Sequence, residues 1–235
     1  MLTEIAPPIP LMAGFPGLAL RNRPPMTQVS RAVRRQIIVA QLLQGVAVTG
    51  PENIATVTAG GVGLTIEQIG EGDLPAQLAD VLAHAELRRE RAAEILAQRS
   101  FNPAFWANIL PLNGRTTPYT LELMSAVVAF ASFVVQQAKA IVNMPRPSML
   151  SERIQPMLPV PPYSAIPSGH ATEAHLVGRV LSGLLAEVQQ SQDQQARQVL
   201  LTDRFKQLAK RIAENRVVAG IHYPMDSEQG ELLAD

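Results

Sequence analysis

Residues 139–170 read KAIVNMPRPSMLSERIQPMLPVPPYSAIPSGH and place cationic side chains near the ends of two predicted helices. Lys139 lies near the end of an apolar helix, and Arg146 follows it between prolines that cannot continue that helix. Lysine provides a compact charge, whereas arginine provides a planar fork that suits an oxyanion. Residues 168–170 open the next helix, where backbone N–H groups attract an anion. This stretch predicts an oxyanion site between the two helices.

The segment Ser168-Gly169-His170 offers several of the groups that such a site uses. Ser168 can donate its hydroxyl, and Gly169 allows an anion to approach the main chain closely. His170 is then available as a general acid or base. Taken alone, a Ser-Gly-His segment is more often a helix cap, so its meaning depends on the other segments around it.

A third segment, RVVAGIHYPMD at residues 216–226, adds a histidine close to an acid. Arg216 contributes another guanidinium group, and His222 follows the helix stop at Gly220. Asp226 is close enough in sequence to accept the imidazole proton, which fixes the tautomer and raises the basicity of the free nitrogen. A nucleophile or a metal ligand needs such a nitrogen, so His222 is the candidate reactive residue.

In order and spacing, the three segments resemble the signature of the superfamily that joins type 2 phosphatidic acid phosphatases, bacterial acid phosphatases and vanadium-dependent haloperoxidases. The resemblance covers residues 139–226 and implies an all-α fold, a helical bundle. It implies that His222 takes the apical position of a bound oxyanion and acts with His170 and Asp226 in catalysis. The residues that it implies hold the oxyanion are Lys139, Arg146, Ser168, Gly169 and Arg216.

The resemblance leaves two enzyme chemistries open. The loop PPYSAIPSGHA is similar to the haloperoxidase form, which places an aromatic residue, here Tyr163, on the halide or substrate side. The cofactor would then be vanadate, with His222 as its metal ligand and with hydrogen peroxide and halide as substrates. The alternative is a soluble acid phosphatase that hydrolyses phosphomonoesters through a phosphohistidine at the same residue, which the short insert before Ser168 favours. An anion-binding protein without turnover is the third possibility.

Composition argues against other classes of protein. The chain has 20 Lys and Arg against 20 Asp and Glu, so the basic excess of a nucleic-acid-binding protein is missing. It has no cysteine, which excludes disulfides and thiolate metal sites. Gln136, Gln137 and Lys139 interrupt the most apolar stretch, and the N-terminus lacks a basic leader. We therefore expect a cytoplasmic protein without a membrane span and without a nucleic-acid partner.

Prolines and helical periodicity divide the chain. Residues 1–25 are rich in proline and are predicted to form an extended arm, followed by a helical domain at residues 26–235. Residues 49–72, rich in Gly and Thr, are predicted to be connecting structure without strands. The chain ends nine residues after Asp226, so the closing helix is expected to be cut to about two turns. Either a partner subunit of a homo-oligomer covers that edge, or the sequence is a fragment of a longer protein. The predicted helices span about residues 29–48, 73–98, 117–143, 169–189 and 195–219.

Four further residues are interpreted as structural. His175 lies five positions after His170, which turns it away from that residue on a helix. Glu173 and His84 have no partner that the sequence identifies, and Trp106 is more typical of a core than of a substrate platform.

Overall fold

The computed structural model describes residues 28–187 and 192–235. Within them the chain is mostly helical, as the all-α prediction requires, and the predicted arm at residues 1–25 lies outside them. The helices are α1 (Arg31–Leu43), α2 (Leu74–His84), α3 (Arg88–Ala97), α4 (Ala104–Ala107), α5 (Pro118–Val142), α6 (Pro147–Leu150), α7 (Gly169–Ala186), α8 (Gln192–Val218) and α9 (Pro224–Ala234).

The centre of the bundle is α7, which packs against α5, α8 and α9. Trp106 and Phe205 fill the core on one side of it, with ring centroids 5.9 Å apart. Both aromatic residues pack against α7 at Gly178, where an added Cβ would lie in van der Waals contact, 3.5 Å from each of them. This packing fixes the axis of α7 and therefore the direction in which its first turn points.

The helix α5 is apolar along most of its length. It has Pro118 in its first turn and ends at Asn143, whose φ of 50° is left-handed. In the described part of the chain, Pro118–Leu150 is the one segment that is long and apolar enough to cross a membrane by length and composition, with a hydropathy of 1.6. That value belongs to the most apolar 18-residue window of the segment.

The chain between α1 and α2 forms a sheet that the sequence interpretation missed. Strands β1 (Val46–Thr49), β2 (Ile54–Ala59) and β3 (Val62–Glu67) pair antiparallel in chain order, and the sheet packs against α5. Gly60 and Gly61 have φ of 57° and 83°, as a two-residue hairpin turn requires. The glycine run that suggested connecting structure is the turn of this hairpin.

The closing helix α9 has 11 residues, about three turns rather than the expected two. It lies against the start of α7 at Gly230. A Cβ at Gly230 would be 2.7 Å from the carbonyl oxygen of Ser168 and 2.9 Å from Cβ of Ala171. Because these neighbours are backbone and a short side chain, they cannot rotate away. The contact between α9 and α7 therefore requires glycine.

Replacement of Gly230 by Ala is expected to lower the free energy of unfolding by about 1–3 kcal/mol, because the new methyl group overpacks this contact. Helix propensity alone would change the stability in the opposite direction, by about 1 kcal/mol. The matched control is Gly183→Ala, in an exposed part of α7 with no atom within 4 Å of the added Cβ. Thermal or denaturant unfolding of both variants tests this, and equal stabilisation of both would contradict the contact.

Candidate active site

The imidazole of His222 is buried and held by an acid four residues later. Its Nδ1 lies 2.7 Å from Oδ2 of Asp226, which also accepts the backbone N–H of Tyr223 at 3.0 Å. The chain reaches this position through Gly220, whose φ of 76° ends α8. Because Nδ1 donates to the carboxylate, Nε2 carries the lone pair. The predicted pairing of His222 with Asp226 is present, and it leaves the lone pair of the imidazole on Nε2.

Arg146 lies directly against this nitrogen. Its Nη1 is 3.0 Å from Nε2 of His222 and also donates to the carbonyl of Ile221 at 2.8 Å, while Nε donates to the carbonyl of Tyr163 at 3.0 Å. The side chain is buried, with 2% exposed. The guanidinium group is thus fixed by two backbone carbonyls beside the atom that would attack or bind an oxyanion.

Lys139 is the second buried cation of the site. Its Nζ donates to the carbonyls of Ser164 at 2.6 Å and Ala165 at 2.8 Å. An ammonium group has three donors, so one N–H remains for a ligand. The loop before α7 therefore orients this lysine without using up its hydrogen-bonding capacity.

Arg216 is the least satisfied cation of the site. Its Nη1 and Nη2 donate to the carbonyls of Gln98 and Ile95 at 3.4 and 3.3 Å, and its buried Nε has no hydrogen-bond partner within the described residues. A buried guanidinium N–H without an acceptor is costly. An oxyanion with several acceptor oxygens is the kind of group that fits these donors.

The first turn of α7 faces the same place. Ser168 is the N-cap, and its Oγ accepts the N–H of Ala171 at 3.4 Å. Its own backbone N–H donates to the carbonyl of Asp226 at 2.8 Å, which ties the start of α7 to α9. Gly169 and His170 follow in the first turn, where backbone N–H groups have no partner inside the helix. Such N–H groups can bind an anion.

His170 is half-buried at the edge of the site, with Nε2 3.3 Å from the carbonyl of Arg99. Burial lowers its pKa to about 4, and the positive charges of Arg216 and Lys139 act in the same direction. It is therefore neutral near pH 7 when no anion is present.

Four of the predicted residues act electrostatically on the imidazole of His222. Burial holds the pKa of His222 well below its usual range, and the charges of Arg146, Lys139, His170 and Arg216 lower it further, in that order. Because His170 is neutral near pH 7, the cations among these groups are Arg146, Lys139 and Arg216, and all three are close enough to act on one imidazole. The pocket thus concentrates positive charge around a neutral nucleophilic nitrogen, which favours a doubly charged anion.

The pKa of Asp226 moves the other way. Burial raises it to about 7, although Lys139, the N–H of Tyr223 and Arg146 each favour the ionised form. This carboxyl accepts two hydrogen bonds at Oδ2, whereas Oδ1 has no partner within the described chain.

Tyr163 lies beside the cations, with its ring centroid 5.3 Å from Cζ of Arg146 and 5.6 Å from Nζ of Lys139. Nearly half of its side chain is exposed. Its assignment to the halide or substrate side stays a prediction, since its clearest contacts are with the two cations.

A network behind the site has no counterpart in the sequence interpretation. Asn215 donates to Oε1 of Gln98 at 2.8 Å and to Glu94 at 2.9 Å, and Arg211 also binds Glu94. Gln98 in turn accepts from Arg216 through its backbone carbonyl. The network holds α3 against α8 and so positions Arg216. Only the folded chain shows it, because Gln98 is 118 residues away from Arg216.

The residues interpreted as structural have contacts outside this pocket. His175 is buried and lies 3.5 Å from Glu231, and Trp106 is in the core. His84 lies 3.9 Å from Glu214. Glu173 is the exception, because it lines a cleft together with His170.

Comparison with known proteins identifies the family of the C-terminal part. Residues 121–234 match the family model described as PAP2 superfamily. Among solved structures, the fold is similar to that of the first transmembrane PAP2 type phosphatidylglycerolphosphate phosphatase from Bacillus subtilis. The TM-score is 0.54, with 17% sequence identity over 88% of this chain and 89% of that chain. A search of curated proteins gave no match. At this identity the structural likeness shows the fold.

Two sequence-based predictions are wrong. The expected absence of a membrane span conflicts with Pro118–Leu150, which is long and apolar enough to cross a bilayer, and with the transmembrane nature of the similar phosphatase. The expected cytoplasmic location fails for the same reasons, since both findings point to membrane association. The physical cause of the error is that the apolar stretch extends to the N-terminal side of Gln136, so an 18-residue window before the interruptions is apolar enough by itself.

The family match and the shared fold agree with each other, and the signature residues lie together in one pocket. Residues 121–234 of the chain are therefore similar to the PAP2 superfamily, and the described residues share the fold of a PAP2-type structure.

Proposed function

We propose that the protein is a phosphatase that hydrolyses phosphomonoesters through a phosphohistidine at His222. The observation that carries the proposal is this buried imidazole, whose Nδ1 is held by Asp226 and whose Nε2 carries the lone pair 3.0 Å from Nη1 of Arg146. The family match and the phosphatase fold support the phosphatase over the haloperoxidase.

In the first step, Nε2 of His222 attacks phosphorus and the P–O bond to the alcohol breaks. The three non-bridging oxygens are bound by Arg146, Lys139 and Arg216, together with the donors at the start of α7. Their combined charge stabilises the negative charge of the transition state. Asp226 keeps the tautomer fixed and balances the positive charge that appears on the imidazole as the P–N bond forms.

His170 gives its proton to the leaving alkoxide. In the second step it takes a proton from water, which attacks the phosphohistidine and releases phosphate. The low pKa of His170 suits the second step, in which a neutral imidazole acts as base. The first step requires a protonated His170. The bound dianion favours this imidazolium, because its negative charge offsets the nearby cations and raises the pKa of His170.

Binding of inorganic phosphate or vanadate is therefore expected to raise the pKa of His170 from about 4 toward its ordinary value near 6.5. The sign follows from the cause: cations lower this pKa, and an anion among them opposes that effect. Histidine NMR titrations with and without the anion measure it, with His170→Asn to assign the resonance. An unchanged pKa at saturating anion would contradict the shared pocket.

Vanadate remains a proposed occupant. It fits the same donors, including the unpartnered Nε of Arg216, and Nε2 of His222 is the atom that would bind it. When bound in a haloperoxidase, vanadate supplies the activation of peroxide. The haloperoxidase is kept as the second candidate because of the loop that contains Tyr163.

One paired assay separates the two functions. The full chain is tested for release of phosphate from p-nitrophenyl phosphate, and for bromide oxidation with hydrogen peroxide, each with and without orthovanadate. We expect phosphate release that vanadate inhibits, and no bromination. Vanadate-dependent bromination would instead establish the haloperoxidase, and the absence of both activities would leave an anion-binding protein.

A further inference from the structure

A separate cleft of about 470 Å³ opens beside His170. It lies between α1, α5, the start of α7 and the segment after α3. Its polar lining consists mainly of Arg35, Arg99, Ser125, Ser132, His170 and Glu173. His170, the candidate acid of the reaction, therefore lines this cleft. The other signature residues do not line it.

The cleft is aligned with the phosphate site along α5. Ser125, Ser132 and Lys139 are spaced by seven residues, so they lie along one face of the helix. Two of these three line the cleft, and the third donates its ammonium group in the pocket of His222. A substrate with its phosphate on the cations would have its alcohol portion on the side of His170, where the cleft is.

The charge of the cleft is positive. Arg35 and Arg99 are exposed, and neither forms an ion pair within the described residues. Glu173 is the acid in the lining, and burial raises its pKa to about 7, so much of its negative charge is suppressed at neutral pH. Other arginines of the bundle do have carboxylate partners; these pairs are Arg34–Glu122, Arg91–Glu214, Arg179–Asp235 and Arg211–Glu94.

We infer that this cleft binds the leaving group, and that Arg35 and Arg99 select phosphomonoesters whose alcohol carries a second anionic group. The inference rests on the proposed phosphatase reaction, since it needs the leaving alcohol to lie next to His170. A phosphodiester or a carboxylate on the alcohol offers the paired oxygens that the arginine fork binds. The hydroxyls of Ser125 and Ser132 offer donors for the polar atoms between the two anionic groups.

The test compares short phosphomonoesters that differ mainly in the charge of the alcohol. These are ethanolamine phosphate (cationic), glycerol 3-phosphate (neutral), 3-phosphoglycerate (carboxylate) and a propanediol phosphate that carries a methyl phosphodiester. The full chain is expected to show kcat/KM about 10-fold or more in favour of the anionic alcohols over the neutral one. The comparison of the two anionic substrates shows whether carboxylate or phosphodiester is preferred.

Variants assign the preference to the two arginines. Arg35→Gln and Arg99→Gln are each expected to lower kcat/KM for the anionic alcohols by about 5- to 20-fold and to leave glycerol 3-phosphate within about 2-fold. Arg115→Gln, at an exposed arginine away from the cleft, is the matched control and should change neither. Because the arginines are exposed, the preference should also weaken as salt rises.

The outcomes separate the two levels of the argument. Hydrolysis of all four esters without a charge preference, or an equal loss for all of them in the arginine variants, would overturn the inference and leave the phosphatase intact. If the unmodified chain hydrolyses none of the four, the proposed function fails and the inference fails with it.

Discussion

Replacement of His222 by Gln is expected to reduce kcat for phosphomonoester hydrolysis by about 10⁴- to 10⁶-fold, the range seen when a covalent nucleophile is removed. Gln is close in size to His and can still accept from Arg146, so the buried pocket should keep its shape. The amide of Gln cannot replace Nε2, which lies 3.0 Å from Arg146 Nη1, as a nucleophile. Initial rates with p-nitrophenyl phosphate measure the loss.

The covalent intermediate gives this prediction a second readout. Rapid quench of the unmodified enzyme with labelled substrate should trap phosphate on protein through a P–N bond, which is stable to base and labile to acid. His222→Gln should trap none. His175→Gln is the control. His175 is buried like His222, but it lies on α7 and pairs with Glu231. Trapping of label in the His222 variant would assign the nucleophile to another residue.

Replacement of Asp226 by Asn is expected to reduce kcat by about 10²- to 10⁴-fold, while the fold is kept. In the unmodified protein, Nδ1 of His222 donates to Oδ2 of Asp226 at 2.7 Å, and Oδ2 also accepts the N–H of Tyr223 at 3.0 Å. An amide at this position can donate as well as accept, so it permits the wrong tautomer and does not balance the imidazolium. Asp226 is the N3 residue of α9, and the amide oxygen of Asn can still accept the backbone N–H of the N-cap residue Tyr223, so α9 should remain formed.

A merely structural role for Asp226 predicts a different result. In that case, the thermal stability of Asp226→Asn would fall together with activity, and vanadate would bind more weakly. We expect vanadate affinity to change little, because Lys139, Arg146 and Arg216 still bind the oxyanion. Asp226→Glu provides the comparison, since it keeps the charge but changes the distance to Nδ1. Activity near normal in the Asn variant would exclude control of the tautomer.

The pocket could be predicted from the sequence because its residues lie close to helix ends. Arg146 follows the end of α5, Ser168 caps α7, and His222 comes directly after the glycine that ends α8. In each case a proline or glycine marks the helix boundary in the sequence, so the residue types alone locate the groups. The family signature consists of such local patterns, and the structure brings the three segments together.

The remaining features depend on contacts that no local pattern encodes. Gln98 orients Arg216 from another helix, and Arg99 reaches His170 only through the packing of α3 and α7. The sheet was missed although strand β2 has a buried Ala55 and Val57 in alternation, a period of two in the sequence. The Gly and Thr content of residues 49–72 is typical of connecting structure, and that composition led to the wrong prediction.

The hydrogen bond from the backbone N–H of Ser168 to the carbonyl of Asp226 connects the start of α7 to the residue that orients His222. Through its side chain, Asp226 sets the orientation of the attacking imidazole, and through its main chain it anchors the turn that receives the phosphate. A small shift of α9 would therefore move the imidazole of His222 and the first turn of α7 together, so that the distance between them is preserved. Small movements of the outer helices should therefore change the reaction geometry little. Substitutions on the side of α9 that faces away from α7 should be tolerated better than substitutions at the contact between Ser168 and Asp226.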